Sequence, residues 1–264
     1  VTTVEFKNAL NAGVAIGAGE FSVLSISPYL SSTSRIGPKF SMDARVNYVY
    51  NTGNGISVAG FGDAFLNLNY HPTAVLSFSA GMKGPISRLK GNKQVDGKSL
   101  PMDYQTTLGT LDLIVGLRYN VKKLLFVLAF QQPLTQNENT YMPEVWEPDS
   151  ILASFPITNG FQRKADVVAR IAYPFQLSNK LNLTAGLVPI YHLDEDQYRN
   201  SGGALQPIIG SDGLTLNASL YFEWRFSERR GLGVNMGFPL VVRKARPDGL
   251  TRSFVLGVEY QLRR

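Results

Sequence analysis

The sequence predicts an all-β fold, a single antiparallel transmembrane β-barrel of about 12 strands (roughly 10–14) that spans residues 1–264 as one domain. Three observations predict this fold. Apolar and polar residues alternate along many segments, each segment runs for about ten residues, and the connections between segments alternate between short and long.

The alternation is clearest in LTLNASLYFEWRF, residues 214–226, where apolar side chains occupy the even positions and mostly polar ones the odd positions. Successive side chains of a strand point to opposite faces, so one face is apolar and the other polar. A tilted strand of about ten residues is long enough to cross a bilayer. We predict such strands near 3–16, 20–33, 39–50, 61–71, 74–84, 108–120, 123–134, 163–175, 181–192, 213–226, 231–243 and 251–262.

The connections favour a membrane barrel over a soluble sandwich. The segments SRIGPK, HPTA, NVKK, QLSN and SERR are short, whereas 85–107, 135–162 and 193–212 are long and polar. Outer-membrane barrels have short periplasmic turns and long extracellular loops, and a sandwich has no reason to place its long loops at one end. Aromatic residues also lie near the ends of the apolar rows, as interfacial girdles do. The apolar faces are therefore predicted to meet lipid in the bacterial outer membrane.

The composition excludes several other classes of protein. Charged residues make up 17% of the chain, below the roughly 25% that is usual in soluble domains. The absence of cysteine excludes a disulfide framework, and no window approaches the roughly 18 apolar residues of a membrane helix. The net charge of +6 comes from scattered basic residues, so we expect no nucleic-acid partner. No signal peptide is visible at Val1, which suggests a mature terminus.

Two segments resemble a known family. The stretch GFGDAFLNLNY is followed by GPISRLKGNKQVDGKSLPMDYQTTLGTLDLIVGLRY, and the terminal FVLGVEYQL is a common type of last strand in such barrels. Together they resemble the outer-membrane β-barrel family assigned to transport in the phenol-degradation meta pathway, over most of residues 20–262. The resemblance implies a transporter-like outer-membrane barrel and names no substrate.

The polar rows would line the lumen of such a barrel. They carry acidic and basic residues in balance, and neighbouring strands would allow these charges to pair across the lumen. The predicted lumen-lining residues are Asp43, Arg45, Asp63, Lys83, Asp112, Arg118, Asp166, Arg170, Glu223, Arg225 and Glu259.

Two functions follow from this lining. The first is a channel or transporter for small solutes, and inward-pointing Phe65 and Val168 suggest that these solutes are partly apolar. The second is a closed barrel, filled by salt bridges, that serves as an accessory or scaffold subunit of a larger envelope complex. The sequence leaves open which one applies, and whether residues 1–16 form a strand or an N-terminal plug.

An outer-membrane hydrolase is the third and least favoured function. His71 falls in a predicted periplasmic turn, and His192 stands beside Asp194 and Asp196 at the outer end of a strand. An Asp–His pair loosely resembles that of outer-membrane proteases, but the second acidic pair that such enzymes need is not evident. We predict no catalytic residues, no metal site and no cofactor, because no metal-ligand cluster or nucleotide-binding fingerprint is present.

The expected partners are outer-membrane lipid, lipopolysaccharide, a small-molecule solute and a protein of the envelope. Basic residues cluster at the predicted periplasmic turns, where they can reach anionic headgroups. The outer loops NENTYMPEVWEPD and DEDQYR are acidic and could hold divalent cations that bridge lipopolysaccharide, but simple solvation is the favoured explanation.

Overall fold

In the computed structural model, residues 8–87, 91–249 and 253–263 are described, and strands dominate them. Only four short 3-10 helices occur among these residues: Glu20–Ser22, Met102–Tyr104, Pro143–Val145 and Ile151–Ser154. The strands are β1 (Ala9–Ala18), β2 (Leu24–Arg35), β3 (Phe40–Gly53), β4 (Ile56–Phe61), β5 (Asp63–Tyr70), β6 (Leu76–Pro85), β7 (Gln94–Val95), β8 (Lys98–Ser99), β9 (Asp112–Val121), β10 (Leu124–Pro133), β11 (Asp166–Gln176), β12 (Leu181–His192), β13 (Gln197–Arg199), β14 (Leu205–Pro207), β15 (Gly213–Arg225), β16 (Arg230–Val241) and β17 (Phe254–Arg263).

The main sheet closes into a barrel because its last strand pairs with its first. Each strand is antiparallel to its neighbours, and β17 pairs with β1 over ten residues, from Ala9–Arg263 to Ala18–Phe254. Since β4 and β5 are successive partners of β3, they share one position in the ring, which gives a closed barrel of 12 strands. The predicted strand number and antiparallel order are confirmed. The predicted first strand is present from Ala9, and its residues 3–7 lie outside the described part of the chain.

A hairpin between β3 and β4 was not predicted. The predicted strands are 39–50 and 61–71, whereas in the structure β3 continues to Gly53 and β4 starts at Ile56. Asn54 and Gly55 connect them with φ angles of 51° and 77°. Positive φ at both central residues is the requirement of a type I′ turn, for which Asn-Gly is the favoured pair. The sequence TGNG, residues 52–55, therefore contains the turn signal for this hairpin.

The outer surface of the barrel is an apolar belt, as predicted from the alternation. Residues of the predicted lipid-facing rows, such as Leu66 (53% exposed) and Leu68 (45% exposed), have exposed side chains although they are large and apolar. Aromatic residues close the belt near its ends, for example Tyr48, Tyr119 and Trp224. A surface with this much exposed hydrocarbon is stable in contact with lipid rather than with water.

The two ends of the barrel differ as expected. Turns at one end are short, such as residues 122–123 between β9 and β10, and long connections lie at the other end. None of the helices in the described part of the chain is long and apolar enough to cross a membrane.

Among the described residues, a buried apolar cluster lies mostly in the long loops, and Val58 on β4 is its contribution from the barrel wall. It joins residues just after β1 and on β4 to residues of the loops that follow β6 and β10. These loops therefore pack on one another at the extracellular end, in a small core of their own. Its members are Val23, Val58, Leu100, Tyr104, Tyr141, Leu152 and Phe155.

Candidate functional site

The loop between β6 and β9 turns back against the inner wall of the barrel. We call residues 99–110 the inserted segment, and every one of them is buried. The side chain of Gln105 stabilises the conformation of the inserted segment. Its Nε2 donates to the carbonyl of Leu100 (2.8 Å), and its Oε1 accepts from the backbone N–H of Lys93 (2.6 Å). Asn139 of the next long loop donates to the same Leu100 carbonyl at 3.0 Å. The inserted segment is therefore fixed to two loops at once.

Polar contacts also attach the inserted segment to the barrel wall. Asn51 Nδ2 on β3 donates to the carbonyl of Gln105 at 2.9 Å, in a buried position. The Thr106 hydroxyl donates to the carbonyl of Phe61 at 3.2 Å, and the Thr107 hydroxyl donates to the carboxylate of Asp63. Buried hydrogen bonds of this kind are costly to break, so the segment has one defined position in the lumen.

A cavity of about 380 Å³ remains between the inserted segment and the wall. The barrel wall contributes polar groups from β2, β3, β5 and β6 to the lining of this cavity. The inserted segment contributes Gln105 and two threonines. Apolar side chains complete the lining. The lining includes Ser27, Arg45, Asp63, Phe65, Lys83, Met102, Leu108 and Val255.

A second cavity of about 290 Å³ lies beside the first. It is lined by Arg163, Asp166, Val168 and Ile190 among others, and it shares Asp248 and Val255 with the first cavity. The two spaces therefore adjoin at these shared residues. The extracellular half of the lumen is narrowed by loops but not filled by them.

Three predicted lumen residues meet beside the first cavity. Lys83 Nζ lies 3.1 Å from Asp112 Oδ2 and 3.9 Å from Asp63 Oδ2. Asp112 is fully buried and also accepts a hydrogen bond from Gln131, while Asp63 accepts one from Thr107. The single positive charge of Lys83 on β6 thus lies within 4 Å of two carboxylates, on β5 and β9, and offsets part of their charge.

Glu259 is the centre of a polar cluster in the opposite half of the lumen. Its carboxylate accepts hydrogen bonds from Tyr29 (2.7 Å), Tyr221 (2.9 Å) and Gln261 (2.8 Å). The tyrosines fit because glycines face them. A Cβ at Gly13 would lie 2.6 Å from the Tyr29 ring, and one at Gly233 would lie 2.6 Å from the Tyr221 hydroxyl. No sequence signal paired these tyrosines with Glu259, because the three residues lie on strands that are not adjacent.

Glu223 and Arg225, both predicted to line the lumen, contact each other near the periplasmic end of β15. Arg225 Nη2 lies 2.8 Å from Glu223 Oε2, and Asn182 Nδ2 donates to the same oxygen at 3.2 Å. The other oxygen of Glu223 is bound by Arg263, the last residue of β17. Arg243 is part of the network at the extracellular end.

Asp43 is held by uncharged partners. Its carboxylate accepts hydrogen bonds from Thr33 at 2.8 Å and Asn69 at 2.7 Å, with Asn67 farther away at 3.4 Å. Amide and hydroxyl donors, like the tyrosines at Glu259, take the places that basic residues were expected to fill.

Arg45, Arg118 and Arg170 depart from the expected pairing of charges. None of the three forms a hydrogen bond or an ion pair within 4 Å with any residue that the structure describes. The guanidinium of Arg45 stacks on the Tyr29 ring, with Cζ 3.8 Å from the ring centroid. Arg118 interacts electrostatically with Arg170 and Asp43 at longer range, and Arg170 Nε is buried without an acceptor among the described residues.

A buried ionic network ties three extracellular loops to the barrel rim. His192 lies between two carboxylates, with Nδ1 2.6 Å from Asp166 Oδ1 and Nε2 2.8 Å from Asp196 Oδ1. Arg163 binds Asp166, and Asp248 lies 3.1 Å from Arg243 Nη2. Burial raises the pKa of Asp196, although the hydrogen bond and charge of His192 oppose that effect. Asp166 was predicted to line the lumen, and it lies at the edge of the second cavity.

The histidines do not form an accessible catalytic group. His192 is fully buried, and the partner that the sequence did not reveal, Asp166, lies opposite it on β11. His71 bonds the hydroxyls of Ser41 (2.9 Å) and Ser77 (2.7 Å) near the periplasmic turn. Within the described ranges no group of three His, Cys, Asp or Glu side chains is arranged to hold a metal ion.

Comparison with known proteins agrees with this architecture. The chain is similar to an outer membrane channel from Pseudomonas putida F1, with a TM-score of 0.67 and 12% sequence identity over 100% of both chains. This chain has the fold of a bacterial outer-membrane barrel. It is also similar to the NanC porin, with a TM-score of 0.51 and 9% identity over 96% of this chain and 98% of the porin. No family model and no curated sequence matches the chain. Together with the apolar belt, the shared fold assigns the protein to the outer membrane.

Proposed function

We propose that the protein is an outer-membrane channel for small, partly apolar solutes. The observation that carries this proposal is the pair of adjoining cavities, of about 380 and 290 Å³, between the inserted segment and the barrel wall. These volumes are close to the roughly 300–1,000 Å³ that is usual for sites of small molecules. A barrel that served only as a scaffold would gain stability by filling this space with side chains.

The lining of the first cavity supports a solute that is neither fully polar nor fully apolar. Phe65, Leu108 and Met102 offer apolar surface, while Ser27, Arg45 and Lys83 offer polar groups. Narrow channels select solutes by such a combination of pore diameter, hydrogen-bonding groups and charge. The inserted segment sets the diameter because its hydrogen bonds to Asn51 and Phe61 hold it against the wall.

We also propose that the chain belongs to the outer-membrane family assigned to transport in the phenol-degradation meta pathway. The segments GFGDAFLNLNY and FVLGVEYQL support this assignment. The first contributes Asp63, which binds the inserted segment through Thr107, and the second contributes Glu259. The fold shared with the channel from Pseudomonas putida F1 is consistent with it.

Chemical modification of the lumen during conductance recording tests the proposal. The chain has no cysteine, so Ser27→Cys would introduce a single thiol at the first cavity. In planar bilayers we expect stable openings, and we expect an anionic methanethiosulfonate reagent to lower the single-channel conductance of this variant. Leu30→Cys is the matched control, because Leu30 lies on the same strand and is 53% exposed on the lipid-facing side.

Two results would contradict the channel. A protein that folds as a barrel but gives no openings, especially with a co-purifying envelope protein, would favour the accessory or scaffold function. Openings that persist unchanged after complete labelling of Ser27→Cys would show that ions do not pass this cavity. A hydrolase is not supported by the site, because the His192 side chain is fully buried.

A further inference from the structure

The charges in the lumen are not balanced once their contacts are considered. Each predicted lumen carboxylate of the described strands accepts a hydrogen bond or forms an ion pair. Glu259, for example, accepts hydrogen bonds from Tyr29 and Tyr221. Arg45, Arg118 and Arg170, in contrast, have neither kind of contact with the described residues. Carboxylates that are already bound attract a passing cation weakly, whereas free guanidinium groups attract anions.

Two of these arginines form a pair across one strand. Val127 on β10 is the registered partner of Arg118 on β9 and of Arg170 on β11. The three residues therefore share one face of the sheet, and the two arginine Cα atoms are about 10 Å apart, twice the distance between neighbouring strands. Val127 is short, so both guanidinium groups can extend over it toward one ligand. Arg118 is exposed to the lumen, and its charge interacts with that of Arg170.

The third arginine stands in the larger cavity. Arg45 rests on the face of Tyr29 and contributes to the lining beside Phe65 and Leu108. A guanidinium placed over the face of an aromatic ring still has N–H groups available for a planar acceptor. The nearby apolar side chains would contact the hydrocarbon part of a ligand whose charged end met Arg45.

Arg45 at the first cavity and the pair of Arg118 and Arg170 lie at different depths along the barrel axis. Arg118 lies six residues beyond Asp112 on β9, and Asp112 is in register with Lys83 at the first cavity. At about 3.3 Å per residue this separation is roughly 20 Å along the strand. A solute that left the cavity would therefore meet the second basic site farther toward the periplasmic end.

We propose that the channel binds and conducts small monocarboxylates that carry an apolar body, with Arg45 as the first anion site and Arg118 and Arg170 as the second. A carboxylate matches the fork of a guanidinium and forms two parallel hydrogen bonds with it. This inference rests on the proposed channel function and adds the class of solute. It also predicts that the open channel prefers anions to cations.

Reversal potentials in a potassium chloride gradient test the preference. We expect anion selectivity in the wild type and a shift toward cations, by at least twofold in the permeability ratio, when Arg118→Gln and Arg170→Gln are combined. Arg35→Gln is the matched control, since Arg35 lies at a periplasmic turn and bonds the carbonyls of Gly37 and Pro38. Cation selectivity in the wild type, or equal shifts in the control and the double variant, would overturn the proposal.

Ligand binding in detergent tests the same inference without any conductance. By isothermal titration calorimetry we expect benzoate and hexanoate to bind the purified barrel, and benzyl alcohol and benzylammonium to bind at least tenfold more weakly. Arg45→Gln combined with the other two substitutions should abolish benzoate binding, while Arg35→Gln should leave it intact. Equal binding of benzoate and benzyl alcohol would contradict the proposal. Benzoate binding by a protein that is silent in bilayers would contradict the channel function alone.

Discussion

Tyr29 on β2 and Glu259 on β17 are hydrogen-bonded across the strand that separates them, with 2.7 Å between the hydroxyl and Oε2. The bond crosses β1, and β1 and β17 form the seam where the barrel closes. Gly13 on β1 makes the bond possible, because any side chain there would collide with the Tyr29 ring. The seam is thus held by a side-chain contact in addition to the backbone ladder.

Removal of this hydroxyl should weaken the seam. Tyr29→Phe should lower the free energy of unfolding by about 1–2 kcal/mol, since it deletes a hydrogen bond to a charged acceptor that keeps two other donors. Urea unfolding in detergent micelles measures the change. Tyr50→Phe is the control, because the Tyr50 hydroxyl bonds Ser57 at 3.1 Å on an exposed surface and its loss should cost little. Equal losses in both variants would contradict the role of the seam bond.

The assignment of β15 residues to the lipid-facing and lumen-facing sides can be tested directly. Leu220 points to lipid and Ser219 to the lumen, where the Ser219 hydroxyl donates to the carbonyl of Gly186 at 3.3 Å. Leu220→Arg should cost about 2–4 kcal/mol, because it places a charge in the middle of the bilayer. Ser219→Arg should be much milder. Similar unfolding free energies for the two variants, from urea titration in lipid vesicles, would show that the assigned phase is wrong.

Glu223 should matter more than the arginine beside it. Three side chains donate to Glu223, namely Asn182, Arg225 and Arg263. Glu223→Gln should lower the free energy of unfolding by about 1–3 kcal/mol, less than for a fully buried pair because the Arg225 side chain is 50% exposed.

Arg225→Gln provides the comparison for Glu223→Gln. It should cost less than about 1 kcal/mol, since Asn182 and Arg263 keep their bonds to Glu223. Thermal melting of both variants in detergent measures the difference. A larger effect of Arg225→Gln would contradict this ranking.

The ionic network should hold the loops rather than the barrel. In His192→Leu the carboxylates of Asp166 and Asp196 lose the donor between them, and breaking a buried ion pair commonly costs about 3–5 kcal/mol. We expect faster trypsin cleavage after Lys164, whose backbone N–H is bonded to Asp196, with an unchanged shift of the unheated barrel on gels. Asp194→Asn, at an exposed neighbour of His192, should leave cleavage unchanged. Loss of the gel shift would indicate a role in the barrel itself.

Gly249 should control the position of the inserted segment. Its φ is +61°, and a Cβ would lie 2.8 Å from the backbone nitrogen of Asp103. Gly249→Ala should therefore displace the segment and change the single-channel conductance. Gly203→Ala is the matched control, because Gly203 has a φ of +81° but open space around it. The substitution at Gly203 therefore adds only backbone strain, of about 1–2 kcal/mol. The same conductance in Gly249→Ala and wild type would contradict the role of this contact.

The sequence by itself determined the barrel. Strand number, strand phase, the lipid-facing rows and the difference between the two ends all follow from local regularities: a side-chain period of two, segments of membrane-spanning length and the alternation of turn lengths. The hairpin at Asn54 and Gly55 was not predicted, although its Asn-Gly turn signal is local.

Only the tertiary structure decided how the lumen is occupied. Tyr221 lies 38 residues from Glu259 in the sequence, Arg263 lies 40 residues from Glu223, and Asp166 lies 26 residues from His192. Such contacts depend on strand register and barrel closure, which no local pattern encodes. The inserted segment has no periodicity at all, and its position results from hydrogen bonds between separate loops. Only the folded barrel shows that Arg45, Arg118 and Arg170 form no hydrogen bond or ion pair with the described residues.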